Sequence, residues 1–125
     1  GSLLFISSHN YEESDVGADL YIVDTSTDEI TEKLRFYHDS LETGTTNLAF
    51  SSQNNKLYCT AAPKLDYAFR HSNLILELDL SDYSYSYFEM GDNPLGRITL
   101  APVQNGIRLF ALERGTPIVH YKDIQ

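Results

Sequence analysis

The sequence predicts an all-β chain built on a repeat of about fifty residues. Two observations point to strands. Apolar and polar positions alternate with a period of two in short runs, as where Ile30, Glu32, Leu34 and Phe36 interleave with Thr31, Lys33 and Arg35. Nine Tyr and six Phe, with no Trp, supply aromatic residues that favour strands. No stretch sustains a helical period. The repeat is the third observation, and it emerges from the elements taken in order.

Residues 3–8 form a short apolar strand, followed by a polar, acidic loop over 9–18. Residues 19–24 read as a strand, 25–28 as a turn, and 30–36 as a strand with one face exposed. Residues 37–46, containing Gly44, read as a loop. The organising stretch is 47–62, NLAFSSQNNKLYCTAA, in which two apolar runs flank a polar turn. Asn54 and Asn55 tolerate the positive φ of a tight hairpin turn. A long loop over 63–73 comes next, then an apolar strand at 74–79 and a turn at 80–82. Tyr83, Tyr85 and Tyr87 alternate with Ser84, Ser86 and Phe88, which lines three tyrosines along one face as a sheet-packing ladder. Residues 91–96 are a loop, 98–101 and 107–112 a second hairpin, and 118–121 a last strand, giving about ten strands in all.

Composition bounds the function classes. A length of 125 residues is one domain, or part of a larger one. A net charge of −9 opposes binding to nucleic acid or to an anionic membrane, and permits basic partners. No apolar run approaches the length of a membrane span, and no signal peptide is visible. Gly1-Ser2 looks like an expression scar, so the natural chain is expected to extend further. The single cysteine, Cys59, excludes a disulfide within the chain and, within an apolar run, reads as a buried, inert thiol.

Leu4-Phe5-Ile6, Leu57-Tyr58-Cys59 and Leu109-Phe110-Ala111 align at offsets of 57 − 4 = 53 and 109 − 57 = 52. The strand and turn beginning at Tyr21 match those beginning at Leu76, with Asp24 and Asp79 offset by 79 − 24 = 55. A repeat of this length with four short strands is the signature of a β-propeller blade. The expected fold is a partial β-propeller of about two and a half four-stranded antiparallel blades, with a β-sandwich as the alternative.

Residues 50–58, FSSQNNKLY, resemble the "spdgkrlYv" core of YVTN-type, quinoprotein-like propeller repeats. Residues 20–27, LYIVDTST, resemble the family's "vsviDtst" strand and turn, and residues 90–96, MGDNPLG, its "vGdnPxg" connection between blades. The resemblance implies a propeller. It says little of activity, because the superfamily hosts lactonases, redox-enzyme subunits and non-catalytic domains. Two and a half blades cannot close a ring, so the chain is expected to be a fragment of a longer propeller, one of several chains completing a ring, or an oligomer. An extracytoplasmic location is a further implication of the resemblance.

In the blade scheme, strand A is 48–50 or 98–101, B is 57–61, C is 20–23 or 74–78, and D is 30–36 or 83–89. The A–B and C–D turns are short, whereas the B–C loops are long and unequal. Length variation confined to one connection marks the face on which function is usually grafted. That face collects His9 and Tyr11, His38 from a D–A loop, and the cluster Asp66, Tyr67, Arg70 and His71. With the neighbouring carboxylates these residues form the expected ligand or partner site. Their spacing matches no metal signature, and no nucleophile elbow, phosphate-binding loop or zinc cysteine pair is present, so no catalytic residue, metal or cofactor is assigned. His120, inside a strand, is expected to be packed or paired.

The expected function is a non-catalytic binding or scaffolding module that presents the long-loop acidic face to a protein partner, or that self-associates through its blade flanks. The alternative is part of a propeller enzyme, a lactonase-like hydrolase or a redox-enzyme subunit, whose site is completed by missing blades. The hydrolase reading predicts that His9, His38 and His71 converge, with carboxylates, around a pocket.

Overall fold

The computed structural model describes residues 2–8, 17–65, 68–69 and 72–124. Among these there is no helix, and every sheet is antiparallel. Twelve strands run in chain order: β1 (Leu3–Ser7), β2 (Leu20–Asp24), β3 (Glu29–Leu34), β4 (Phe36–His38), β5 (Leu41–Ser51), β6 (Lys56–Leu65), β7 (Ala68–Phe69), β8 (Leu74–Asp79), β9 (Tyr85–Glu89), β10 (Leu95–Val103), β11 (Gly106–Glu113) and β12 (Val119–Ile124). They form the sheets β1-β2-β3, β4-β5-β6-β8-β9 with β7 paired to β6, and β10-β11-β12. Within each sheet, neighbours follow chain order apart from β7, which pairs back on β6.

The chain divides into two compact units, with β5 and β6 contributing residues to both. The first takes the residues up to Thr46 and the stretch from Ala62; the second takes Asn47–Ala61 and the described residues from Ser72 onward.

In the first unit, Leu20 and Ile22 alternate with Tyr21 and Val23, so β2 buries one face and leaves the other partly open. Asp19 sits just before β2 and is fully buried. Its carboxylate accepts the Phe36 amide at 3.0 Å, and its carbonyl accepts the Thr45 hydroxyl at 2.6 Å. These bonds explain why the predicted strand 30–36 is two elements: β3 stops at Leu34, and Phe36 begins β4, which pairs with β5.

The loop expected over 37–46 is instead the β4–β5 hairpin. Its turn is the pair Asp39 (φ 49°) and Ser40 (φ 67°), two successive left-handed residues as a two-residue hairpin turn requires. Gly44, expected to mark a loop, lies buried within β5 between the buried Thr43 and Thr45. The loop expected over 63–73 is likewise shortened, because β6 continues through Pro63 to Leu65 and pairs there with β7.

The second unit holds the larger core. Tyr58, Ile75, Met90, Leu95, Ile107, Leu109 and Ala111 are buried together, with Phe88, Ile98, Leu100 and Ile124 packed against them. One face of β10-β11-β12 is thereby laid on one face of β6-β8-β9. Each large apolar side chain so buried contributes about 1.5–3 kcal/mol relative to exposure. The opposite face of β6 and β8, carrying Leu57, Cys59, Leu76 and Leu78, is buried as well. Burial on both faces explains why these strands read as nearly continuous apolar runs while β3 alternates.

Three turns share one hydrogen-bond pattern. Asp24 Oδ1 accepts the amide (2.9 Å) and hydroxyl (2.6 Å) of Ser26, and Asp79 Oδ1 accepts those of Ser81 at 2.9 and 2.5 Å. Asp82 repeats the arrangement with Ser84 at 2.9 and 2.7 Å. Tyr83 lies in this last turn with φ 61°, outside β9, so the expected three-tyrosine ladder is a pair. Tyr85 and Tyr87 meet edge to face with ring centroids 6.0 Å apart.

Candidate functional site

Of the seven residues expected to form the long-loop site, His9, Tyr11, Asp66, Tyr67, Arg70 and His71 lie outside the described residues. The convergence required for a hydrolase involves His9 and His71 and therefore lies outside them too. His38 is described. It ends β4 beside the Asp39-Ser40 turn, with Nδ1 3.7 Å from Asp39 Oδ2; its side chain is half-buried, whereas that of Asp39 is largely exposed. Its place on a hairpin rather than in a loop follows from the β4–β5 pairing.

His120 is paired, as its strand position suggests, and its partner defines a compact polar cluster. Glu113 ends β11 on the inner face and is only 3% exposed. Its Oε2 lies 3.0 Å from His120 Nε2, while its Oε1 accepts Asn93 Nδ2 (3.1 Å) and the Thr116 hydroxyl (3.2 Å). A carboxylate only accepts, so His120 Nε2 carries the proton in this bond. The hydrogen bond from His120 holds the Glu113 carboxyl below its ordinary range, helped by Thr116 and Asn93 against the opposing effect of desolvation. His120 in turn stacks closely on Gly91. A Cβ at that position would lie 2.6 Å from His120 Nε2, and φ is +68°, so glycine is required there twice over. The cluster ties the connection at 91–94 to the β11–β12 hairpin. Both oxygens of Glu113 are engaged in orienting bonds, an arrangement suited to holding a loop rather than to exchanging protons with a substrate. The cluster was not expected from the sequence; the signal that marks it there is an acidic residue at the end of the inward series Ile107, Leu109, Ala111.

Two other polar features are self-contained. Lys56 and Glu77 form an ion pair at 2.7 Å on a small cleft of about 170 Å³ shared with Asp79, Ser84, Tyr85 and Ser86. The hydrogen bond that Lys56 donates to Glu77 raises the Lys56 pKa. Cys59 is fully buried, and desolvation pushes its thiol far above the ordinary range, so it is no nucleophile in the folded state. Among the described residues, no three His, Cys, Asp or Glu side chains gather as a metal site requires.

What stands open is the outer face of each three-stranded sheet. Cross-strand pairs place Leu4, Ile6, Tyr21, Val23, Ile30 and Lys33 on one face of β1-β2-β3, and Leu4, Ile6 and Ile30 are 49%, 44% and 51% exposed. In β10-β11-β12 the outer face carries Thr99, Arg108, Phe110, Leu112, Val119, Tyr121 and Asp123. There Leu112, Val119 and Tyr121 are 41%, 56% and 62% exposed. Arg108 grips Asp123 through two hydrogen bonds and lies over the Tyr121 ring, 4.5 Å from its centroid. Tyr121 also meets Phe110 at 6.4 Å. A shallow groove of about 490 Å³ is lined by Arg97, Ile98, Thr99, Phe110, Leu112 and Val119.

Comparison of the chain with family models, with curated proteins and with solved structures finds no match.

Proposed function

We propose that this chain is a non-catalytic binding or scaffolding module of β-propeller type, which engages a protein partner, or further copies of itself, through the outer faces of its end sheets. The observation that carries the reading is the exposed apolar face of β10-β11-β12, where Leu112, Val119 and Tyr121 lie open beside Phe110 and Arg108. Aromatic and arginine side chains set among aliphatic ones are the composition of an interface core. An apolar face of this kind on an isolated chain calls for a partner.

The propeller element of the reading draws on three features. The chain runs as successive antiparallel meanders, and β10-β11-β12 stacks on β6-β8-β9 through a shared core, as blade stacks on blade. The turns after β2 and β8 carry the same Asp–Ser hydrogen bonds at the offset of 81 − 26 = 55. The YVTN-like motifs belong to these same elements. In this scheme β1-β2-β3 lacks strand A and β10-β11-β12 lacks strand D, and the open outer faces are the flanks that adjoining blades would cover.

Light scattering over a dilution series, alone and with candidate protein partners, tests the reading. Association that Val119→Asp or Ile6→Asp weakens while leaving the fold intact is the expected result. A monomer at every concentration that captures no protein through these faces would sink it.

A further inference from the structure

We infer that the groove on the outer face of β10-β11-β12 receives an apolar segment of a protein partner that carries a carboxylate, with Arg97 as the group that reads the charge. The inference rests on the proposed flank-binding role and names the chemistry of the partner.

Charge decides between the possible occupants. The chain has 18 acidic and 9 basic residues, yet among the described residues this face reverses the balance, with Arg97 and Arg108 against Asp123. Asp123 is already committed to Arg108 through a two-point contact. Arg97 is exposed and makes no ion pair or hydrogen bond with any described residue. Its guanidinium therefore stands at the margin of a groove whose other side chains include Phe110, Leu112 and Val119, with no anion to meet it. A guanidinium beside an apolar floor suits a ligand that is itself apolar and ends or turns on a carboxylate, because the fork of N–H donors matches that group's geometry.

A second copy of the chain is the less suitable occupant. Among the described residues, the apolar face it would offer, on β1-β2-β3, carries Lys33 and no carboxylate. Docking that face on the groove would bring cation to cation, and like charges across an interface disfavour the complex. The groove is shallow rather than enclosed, which fits a segment laid across the sheet better than a small molecule held on all sides.

Fluorescence polarisation with a short labelled peptide alternating Val and Thr around a central Asp, against the same peptide with a central Lys, tests the inference on the whole chain. The aspartate peptide is expected to bind about tenfold more tightly than the lysine peptide. Arg97→Glu is expected to reverse that preference, and Val119→Asp to weaken binding of both peptides. Arg97 is exposed, so unchanged thermal unfolding of the Glu variant serves as the control for folding. Equal binding of the two peptides, or a preference that survives Arg97→Glu, overturns the inference. If neither peptide binds while the chain self-associates through Val119, the acidic-segment inference fails and the flank-binding role stands. If neither peptide binds and the chain stays monomeric with every partner tried, both fail.

Discussion

The two sides of β11 meet opposite fates. Ile107, Leu109, Ala111 and Glu113 point inward and are at most 6% exposed, whereas Arg108, Phe110 and Leu112 point outward and remain partly or largely open. One strand with one period of two thus supplies a finished core and an unfinished surface. The difference teaches that apolar content alone does not separate stability from recognition here; the face does. Inward residues should govern whether the chain folds, and outward residues what it associates with.

Leu109→Ala should break the inner face most severely. Leu109 is fully buried in the core of the second unit, and its truncation is expected to cost about 2–5 kcal/mol of stability, read from denaturant midpoints. A negligible change would mean that this face is not the packed one. A smaller, pH-confined effect is expected at Glu113. Because its carboxyl is held below the ordinary value of 4.5, it contributes stability above that value and loses the contribution as pH falls through its folded pKa. Glu113→Gln should therefore unfold more easily than the parent at neutral pH, and the two stability curves should draw together in acid. Parallel curves throughout would show that the His120 bond does not act through charge. Least disturbing to the fold is Leu112→Ser, on the outer face, which is expected to shift unfolding by no more than about 0.5 kcal/mol while reducing association. Should it destabilise as much as Leu109→Ala, the outer face would be core rather than surface.

Much of the sheet structure was legible in sequence because period two is a local signal. The hairpin at 47–62, the turn after Asp24 and the pairing of 98–101 with 107–112 all appear close to where alternation and turn residues put them. The structure departs from sequence expectation where a residue's usual preference yields to its surroundings. Gly44 and Pro63 are ordinarily loop residues, yet both lie within long strands, Gly44 between buried threonines. Asp39-Ser40 makes a two-residue hairpin turn without the glycine or asparagine that usually announces one. Tyr83 adopts a left-handed conformation that an aromatic residue rarely takes, and alternation alone gave no sign of it. Of the expected site, only His38 falls among the described residues. The open face at β11 and β12 was missed for another reason: Phe110, Leu112 and Val119 look like core in sequence, and nothing local says that no further layer covers them.

Cys59 gives the molecule a built-in reporter. It lies at the centre of β6, is the sole cysteine, and faces Leu76 across the β6–β8 ladder. A reagent that modifies thiols can reach it only when the packing that buries this face of β6 opens, so the rate of modification measures that event without any label being introduced. A single sulfur atom thus reports how often the buried face of β6 comes open to solvent.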